Sequence, residues 1–264
     1  MSSSSSLIAS KLTEASIKSL LNGTVLAIRI PSFLDKKTCK IVSEKLLSAK
    51  VIEEYTNAPG IGKVGIAFFE TTGNVQMEQK YFESALHNLN MIRDIFAPYP
   101  VPTDSLRVQL DEVWPTGANL RVHGGRKMFA GLCRALENGQ GIIPHEDKFE
   151  RDSAQDPFNI SFTENVQMAF NIYLQNPEHG GDLELYTQSL STEAYDKLRG
   201  ESYGIERSLL PKPALTIKPE NGDLILFNSR NLHSVTPVSG KDPRLSISAF
   251  ISRKDPDGSL IIWS

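Results

Sequence analysis

The sequence predicts a mainly β fold, α+β in class. A helical N-terminal layer of about residues 7–115 packs on a barrel or two-sheet jelly roll of about residues 125–264. Three observations carry this prediction. Apolar residues recur at helical spacing through the first part of the chain. After Trp114 the segments become short, β-rich and separated by Gly, Pro and Asn. With 264 residues, 40% of them apolar, the chain can bury a full core as a single domain.

Taken in order, Ser2 to Ser6 read as a frayed tail. Leu7, Ile8, Leu12, Ile17, Leu20 and Leu21 suit an amphipathic helix over Leu7–Leu21. Thr24–Ile30 is β-branched and reads as a strand stopped by Pro31. Asp35 is a fitting N-cap for a helix over Lys36–Ser48, with Cys39, Val42, Leu46 and Leu47 inward. A third helix is predicted over about Met77–Phe96. After Pro98, Pro100 and Pro102, Asp104 is expected to cap a fourth helix reaching Trp114. Strands are then expected at Lys127–Ala135, Gly141–His145, Val166–Leu174, Asp182–Tyr186, Ala214–Ile217, Asp223–Phe227, His233–Pro237, Leu245–Ser252 and Leu260–Trp263. A short helix over Thr192–Leu198 interrupts them. The glycines of Gly60-Ile-Gly-Lys-Val-Gly65 have the spacing of a dinucleotide-binding turn. They follow a polar stretch, however, and lead into an extended-looking Ile66–Phe69, where that turn needs a preceding strand and a helix opening within it. A loop near a site is the expectation instead.

Lys plus Arg total 28 and Asp plus Glu 31, a net charge of −3. That balance argues against a protein held by nucleic-acid phosphates or by a polybasic membrane patch. No window approaches the roughly 20 apolar residues of a membrane span, and the N-terminus lacks a basic n-region. Cys39 and Cys133 are too few for a disulfide scaffold or a cysteine zinc site. A cytoplasmic setting and a small-molecule partner are expected, with a homodimer left open.

Of five histidines, two sit in informative surroundings. His145-Glu-Asp147 follows a strand-like segment, and alternate strand residues project to one side. His233 follows the apolar run Asp223–Phe227. Two imidazoles and one carboxylate make a facial triad, which leaves open positions on Fe(II). Downstream, Arg244 and Ser246 share one face of a strand, and a guanidinium fork beside a hydroxyl suits a carboxylate. Arg134 lies in an apolar stretch, where a cation must find a partner. Asn171 and Tyr173 are polar positions in a core strand. Phe149, Arg151, Phe68 and Phe69 are candidates for the border of a substrate pocket. His123 and His179 lie in glycine-flanked loops and His87 in a helix, so none of these is expected to be a ligand.

The order His-x-Asp, His, Arg-x-Ser resembles that of the Fe(II)- and 2-oxoglutarate-dependent dioxygenases, most sharply over about Gly125–Ser264. Asn221–Val238 looks like that family's second-histidine block and Gly180–Leu185 like its mid-core strand. The resemblance implies a double-stranded β-helix, a form of jelly roll, with an insertion near residues 187–210. It implies His145, Asp147 and His233 as iron ligands, and Arg244 with Ser246 as the seat of the 2-oxoglutarate C5 carboxylate. Arg134 is then a candidate for the C1 carboxylate or an acidic substrate, and Asn171 and Tyr173 for further cosubstrate contacts. The cofactors implied are Fe(II), 2-oxoglutarate and dioxygen.

The helical N-terminal half and Gly125–Phe129 look most like a bacterial small-molecule branch. That branch holds N-acyl amino acid hydroxylases and aliphatic halogenases. In its halogenases a glycine or alanine replaces the carboxylate ligand and admits chloride. Asp147 fills that place here, so hydroxylation of an amino acid or modified amino acid is expected. The alternatives are desaturation, epimerisation or halogenation at the same iron, a protein hydroxylase, and a cupin-like binding module. A zinc hydrolase can also use two histidines and an aspartate, but does not need Arg-x-Ser.

Overall fold

The computed structural model describes residues 5–49, 51–55, 61–152, 166–253, 255 and 257–264. The chain opens on β1 (Ser6–Ile8), parallel to β2 (Ala27–Ile30), with Leu7 opposite Ile28. Between them lies α1 (Glu14–Leu21). The helix expected from Leu7 thus starts later, because Thr13 caps it. Thr13 Oγ1 accepts from Ser16 N at 3.1 Å, and Ser16 Oγ accepts from Thr13 N at 3.0 Å. Leu7 and Ile8 serve a sheet edge instead, and Ser6 is a strand residue rather than tail. Ser2 to Ser4 lie outside the described residues.

Helix α2 (Lys36–Ser48) has the expected bounds, with Asp35 accepting from Thr38 N at 2.9 Å. Two short strands follow, β3 (Glu53–Glu54) and β4 (Ile61–Val64). Strand β4 corrects the loop expected at the glycine run. Gly62 pairs with Ala135, and a Cβ there would stand 2.6 Å from Ile52 Cγ2, so this glycine serves close packing. Gly60 lies outside the described residues. The extended Ile66–Phe69 is corrected too, since Phe68–Thr71 forms a 3-10 turn. Helix α3 (Val75–Phe96) starts at an Asn74 cap. Helix α4 (Pro102–Val113) starts at Pro102 rather than behind Asp104. Proline's fixed φ suits a first helical position, and Asp104 instead accepts from Arg93 Nε at 2.9 Å.

The β-rich part begins with β5 (Ala118–Leu120), β6 (Val122–His123), β7 (Arg126–Lys127), β8 (Leu132–Leu136) and β9 (Ile142–His145). The single strand expected over Lys127–Ala135 is broken before β8, where Gly131 adopts a φ of +115°. Helix α5 (Phe149–Asp152), β10 (Met168–Gln175), β11 (Leu183–Leu185) and α6 (Thr192–Arg199) come next. The chain closes with β12 (Leu215–Ile217), β13 (Leu224–Asn228), β14 (His233–Val235), β15 (Arg244–Arg253) and β16 (Leu260–Trp263). Residues 187–210, expected as an insertion, run between β11 and β12 and carry α6. Arg207 staples them down, Nη2 donating to the Ile142 carbonyl at 3.1 Å and to that of Val235 at 2.7 Å.

The larger sheet runs β1-β2-β13-β10-β15-β8-β4-β3, with β16 beside β15 and β5 beside β16; the smaller runs β12-β11-β14-β9. They pack through a cluster of Ala169, Tyr173, Ile225 and Phe227 against Leu183, Leu185 and Ile217. This is the expected double-stranded β-helix. Strands β10 and β15 alternate by face. Phe170, Ile172, Leu174, Leu245, Ile247 and Ile251 join the main core with Ile17, Val42, Ile92 and Leu106 of the helices. The residues between them, Asn171 and Tyr173 opposite Ser248 and Ser246, belong to the other face. The apolar half of each strand therefore holds the helical layer, and the polar half is turned between the sheets. Gly222 locks this layer in place with a φ of +92°, and a Cβ there would stand 2.0 Å from Leu34 O. Among the described residues no helix is long and apolar enough to cross a membrane.

Candidate active site

Strands β9 and β14 place His145 directly opposite His233. Cross-strand partners share a face, and the ring centroids are 4.2 Å apart. Asp147 lies just beyond the end of β9, where its N–H donates to Ser229 O at 2.9 Å and turns the chain back toward both rings. Asp147 Oδ2 stands 3.2 Å from His233 Nε2, and Oδ1 stands 3.8 Å from His145 Nε2. One donor atom from each residue lies within 4.8 Å of the others.

The main chain sets the tautomers. His145 Nδ1–H donates to Ile143 O at 2.9 Å, and His233 Nδ1–H to Asn231 O at 3.0 Å. A carbonyl only accepts, so each neutral ring turns its Nε2 lone pair toward Asp147. Burial, then the neighbouring His233, pushes His145 down from 6.5 to about 4. Burial alone would raise the Asp147 carboxyl. Attraction to the His145 and His233 rings when these are protonated, and to the Arg134 guanidinium, outweighs burial and holds the group well below the usual carboxylate range. Three lone-pair donors converging in this way repel one another unless a cation sits among them. The donor set, two imidazoles and one carboxylate, fits Fe(II) with coordination positions left open.

The inner face of the larger sheet supplies the rest. Arg134, Ser246 and Tyr173 stand in one cross-strand row, and Leu132, Ser248 and Asn171 in the next. Arg244 is only 2% exposed, with its guanidinium carbon 4.8 Å from the Tyr173 ring centroid and Nη1 donating to Ser246 Oγ at 3.3 Å. Its Nε has no hydrogen-bond partner among the described residues. Asp223, whose main-chain carbonyl accepts from Tyr173 N at 2.9 Å, pairs through its side chain with Arg29 at 2.6 Å instead. Burial pushes the Arg244 pKa below the usual guanidinium value. A buried cation in that condition calls for an anion, so the residues present also fit a carboxylate-bearing cosubstrate. Arg134 donates through Nε to the Tyr55 hydroxyl and through Nη1 to Ser248 Oγ, both at 3.1 Å.

These groups open on one cavity of about 410 Å³. It brings together His145, Asp147, His233, Arg134, Asn171 and Arg244, together with Arg151 and Phe69. Tyr173 and Ser246 stand behind Arg244 and do not line the cavity. Phe149 does not line it either. It is buried, stacked on Phe68 with centroids 5.3 Å apart and covered by the Arg121 guanidinium at 3.7 Å. His123 lies in the same aromatic cluster, edge-on to Phe68 at 5.3 Å. Exposed His179 bridges to Ser239, and His87 sits on α3.

Sequence reasoning missed Tyr55, Ser248, Tyr195, Arg199 and Tyr203, all of which line the cavity. Ser248 was findable, because it continues the Arg244-x-Ser246 alternation. Tyr195 and Arg199 are four apart on α6 and so share a helix face. Nothing around Tyr55 signals its role.

A family model described as "carrier-protein-independent halogenase WelO5" matches residues 8–264. L-gamma-glutamyl-L-propargylglycine hydroxylase of Streptantibioticus cattleyicolor is 28% identical over 182 residues, 67% of this chain. L-isoleucine 3(1)-dioxygenase of Pantoea ananatis is 30% identical over 154 residues, 54% of this chain. The chain spans 65% and 49% of the lengths of these two curated relatives. Among solved structures, an N-substituted L-amino acid dioxygenase from Burkholderia ambifaria superposes with a TM-score of 0.64 at 18% identity, covering 96% of this chain and 92% of that one. This last likeness is one of fold, the double-stranded β-helix of 2-oxoglutarate-dependent dioxygenases. The family match takes in every strand of both sheets beyond β1, and the chain belongs to the carrier-protein-independent halogenase WelO5 family.

Proposed function

We propose that the protein is an Fe(II)- and 2-oxoglutarate-dependent oxygenase that hydroxylates an amino acid or modified amino acid. One observation carries the reading: the His145–Asp147–His233 donor set and the uncompensated, buried Arg244 open on the same cavity. His145, Asp147 and His233 hold the metal. Arg244, backed by Ser246 and Tyr173, seats the far carboxylate of 2-oxoglutarate, while Arg134 and Asn171 stand on the path toward the metal. The chemistry such a centre supplies is the reduction of dioxygen as 2-oxoglutarate loses carbon dioxide and becomes succinate, with an oxygen atom passing to a C–H bond. The chain's own part is to bind, orient and exclude water.

The family's halogenase name does not decide the outcome. An ionised carboxylate at position 147 supplies an anionic ligand of its own, which favours hydroxylation over chloride transfer. The cavity suits a small molecule rather than a nucleic acid, and Cys39 and Cys133 are free thiols, in keeping with a cytoplasmic setting.

The test is succinate formation by the pure protein with Fe(II), 2-oxoglutarate and oxygen, against a panel of free and N-acyl amino acids. Succinate stimulated by a panel member and lost in Asp147→Ala supports the reading. Failure of 2-oxoglutarate to bind or turn over would sink it.

A further inference from the structure

The charges on the cavity wall do not cancel. Its charged lining residues are Arg134, Arg151, Arg199 and Arg244 against Glu146 and Asp147. Four guanidinium groups thus face two carboxylates, and the partners outside the lining, Lys148 on Glu146 and Asp196 on Arg199, leave the excess of two positive charges unchanged. A divalent metal and a dianionic 2-oxoglutarate cancel each other, so filling the site as proposed above leaves the excess in place. Arg134 and Arg244 belong to the cosubstrate wall, which leaves Arg151 and Arg199 on the side of α6.

These two arginines are gathered by one ring. The Arg151 guanidinium carbon lies 4.5 Å from the Tyr195 centroid and that of Arg199 5.8 Å from it. Tyr195 is held in turn, its hydroxyl donating to Tyr203 O at 2.8 Å. Each guanidinium is also braced from behind. Arg151 Nη2 donates to the Glu146 carbonyl. Arg199 donates through Nε to Asp196 Oδ1 at 2.8 Å and through Nη1 to Ser202 O at 2.9 Å, with Nη2 also 2.8 Å from Asp196 Oδ1. A guanidinium has five N–H donors, so Arg199 keeps an N–H on each terminal nitrogen after these contacts. Two planar cations fixed around an aromatic face make a seat for a planar anion.

The seat is joined to the metal loop. Glu146, between His145 and Asp147, is buried and accepts from Leu190 N at 2.5 Å. Lys148 Nζ stands 2.7 Å from Glu146 Oε2 and donates to Leu190 O at 2.6 Å. The segment carrying Tyr195 and Arg199 is thereby registered against the donor set, as a residue that positions a substrate must be.

We infer that Arg199 and Arg151, ordered by Tyr195, bind the carboxylate of the substrate and select anionic over neutral molecules. The inference rests on the oxygenase reading and adds the substrate's charge and the residues that read it. Arg199, a third exposed at the end of α6 with its side chain at 32%, can be changed without opening the core.

The experiment is calorimetric. The Ni(II)-loaded chain, saturated with 2-oxoglutarate, is titrated with N-acetyl-L-leucine, N-acetyl-L-isoleucine and L-leucine, and with the carboxamide of each. At least one acid is expected to bind about tenfold or more tightly than its amide, the scale of a charge-assisted pair. Arg199→Gln should bring that ratio below about threefold at an unchanged 2-oxoglutarate affinity, and Arg199→Lys should restore part of it. A panel in which no acid outbinds its amide, or an Arg199→Gln protein that keeps the full preference, overturns the inference. The first titration, of 2-oxoglutarate alone, separates the two claims. If it fails, the oxygenase reading falls. If it succeeds without a carboxylate preference, only the substrate seat falls.

Discussion

His145 and His233 face each other across β9 and β14 with ring centroids 4.2 Å apart, and each turns its Nδ1–H away onto a main-chain carbonyl. The backbone thus fixes both lone pairs toward Asp147 before any ligand arrives. A single divalent ion per chain is expected in a Co(II) titration. His145→Ala, His233→Ala and Asp147→Ala should each weaken it by about a hundredfold or more, since each removes one of the three donors proposed above to hold the ion. Retention of wild-type affinity in any of the three would displace that residue from the donor set.

The metal-free protein should lose stability in mild acid. Burial holds His145 at about 4 in the folded chain against an ordinary value of 6.5 once unfolded, so between those values the unfolded chain carries a proton that the folded chain lacks. Stability then rises with pH across this window and is lost as pH falls through it. Asp147, depressed in the folded chain, adds to the loss only at lower pH. Thermal midpoints measured from pH 7 to pH 4 should decline, and His145→Gln should flatten the slope.

Tyr55 holds Arg134 through a 3.1 Å hydrogen bond from Nε. Tyr55→Phe leaves the ring stacked on Phe69 and removes only the acceptor. Affinity for 2-oxoglutarate is expected to fall about tenfold, the ~1.5 kcal/mol of a hydrogen bond to a charged group. The apparent affinity read from succinate formation against 2-oxoglutarate concentration checks this.

Gly222→Ala should destabilise the chain by more than about 1 kcal/mol, because the residue has a positive φ and its Cβ would meet Leu34 O at 2.0 Å. Urea denaturation checks it, with a lowered midpoint and an unchanged slope expected.

The parts of the molecule legible in the sequence are those where local chemistry and tertiary role agree. Asp35 caps α2 as its side chain allows, and the alternation of Arg244, Ser246 and Ile247 shows which face of β15 is polar. Where tertiary pairing overrides a local pattern, the sequence misleads. Leu7 and Ile8 have helical spacing yet pair with β2, and Gly62 has a phosphate-loop neighbourhood yet packs against Ala135. Phe149 follows the metal motif closely, but α5 turns its ring into the aromatic cluster around Phe68. Arg199 and Tyr195 share only a helix face, and their place beside the metal loop depends on Glu146 accepting from Leu190, a contact across 44 positions.

The central claim is that a metal and 2-oxoglutarate share this cavity, the cosubstrate anchored by Arg244. The most direct measurement is calorimetric titration of 2-oxoglutarate into the Ni(II)-loaded chain and into its Arg244→Met variant. The account predicts binding that requires the metal, at one 2-oxoglutarate per chain, weakened by about a hundredfold or more in the variant, as for loss of a buried charge-assisted pair. Equal affinity in the two proteins, or no binding to the metal-loaded wild type, would contradict it.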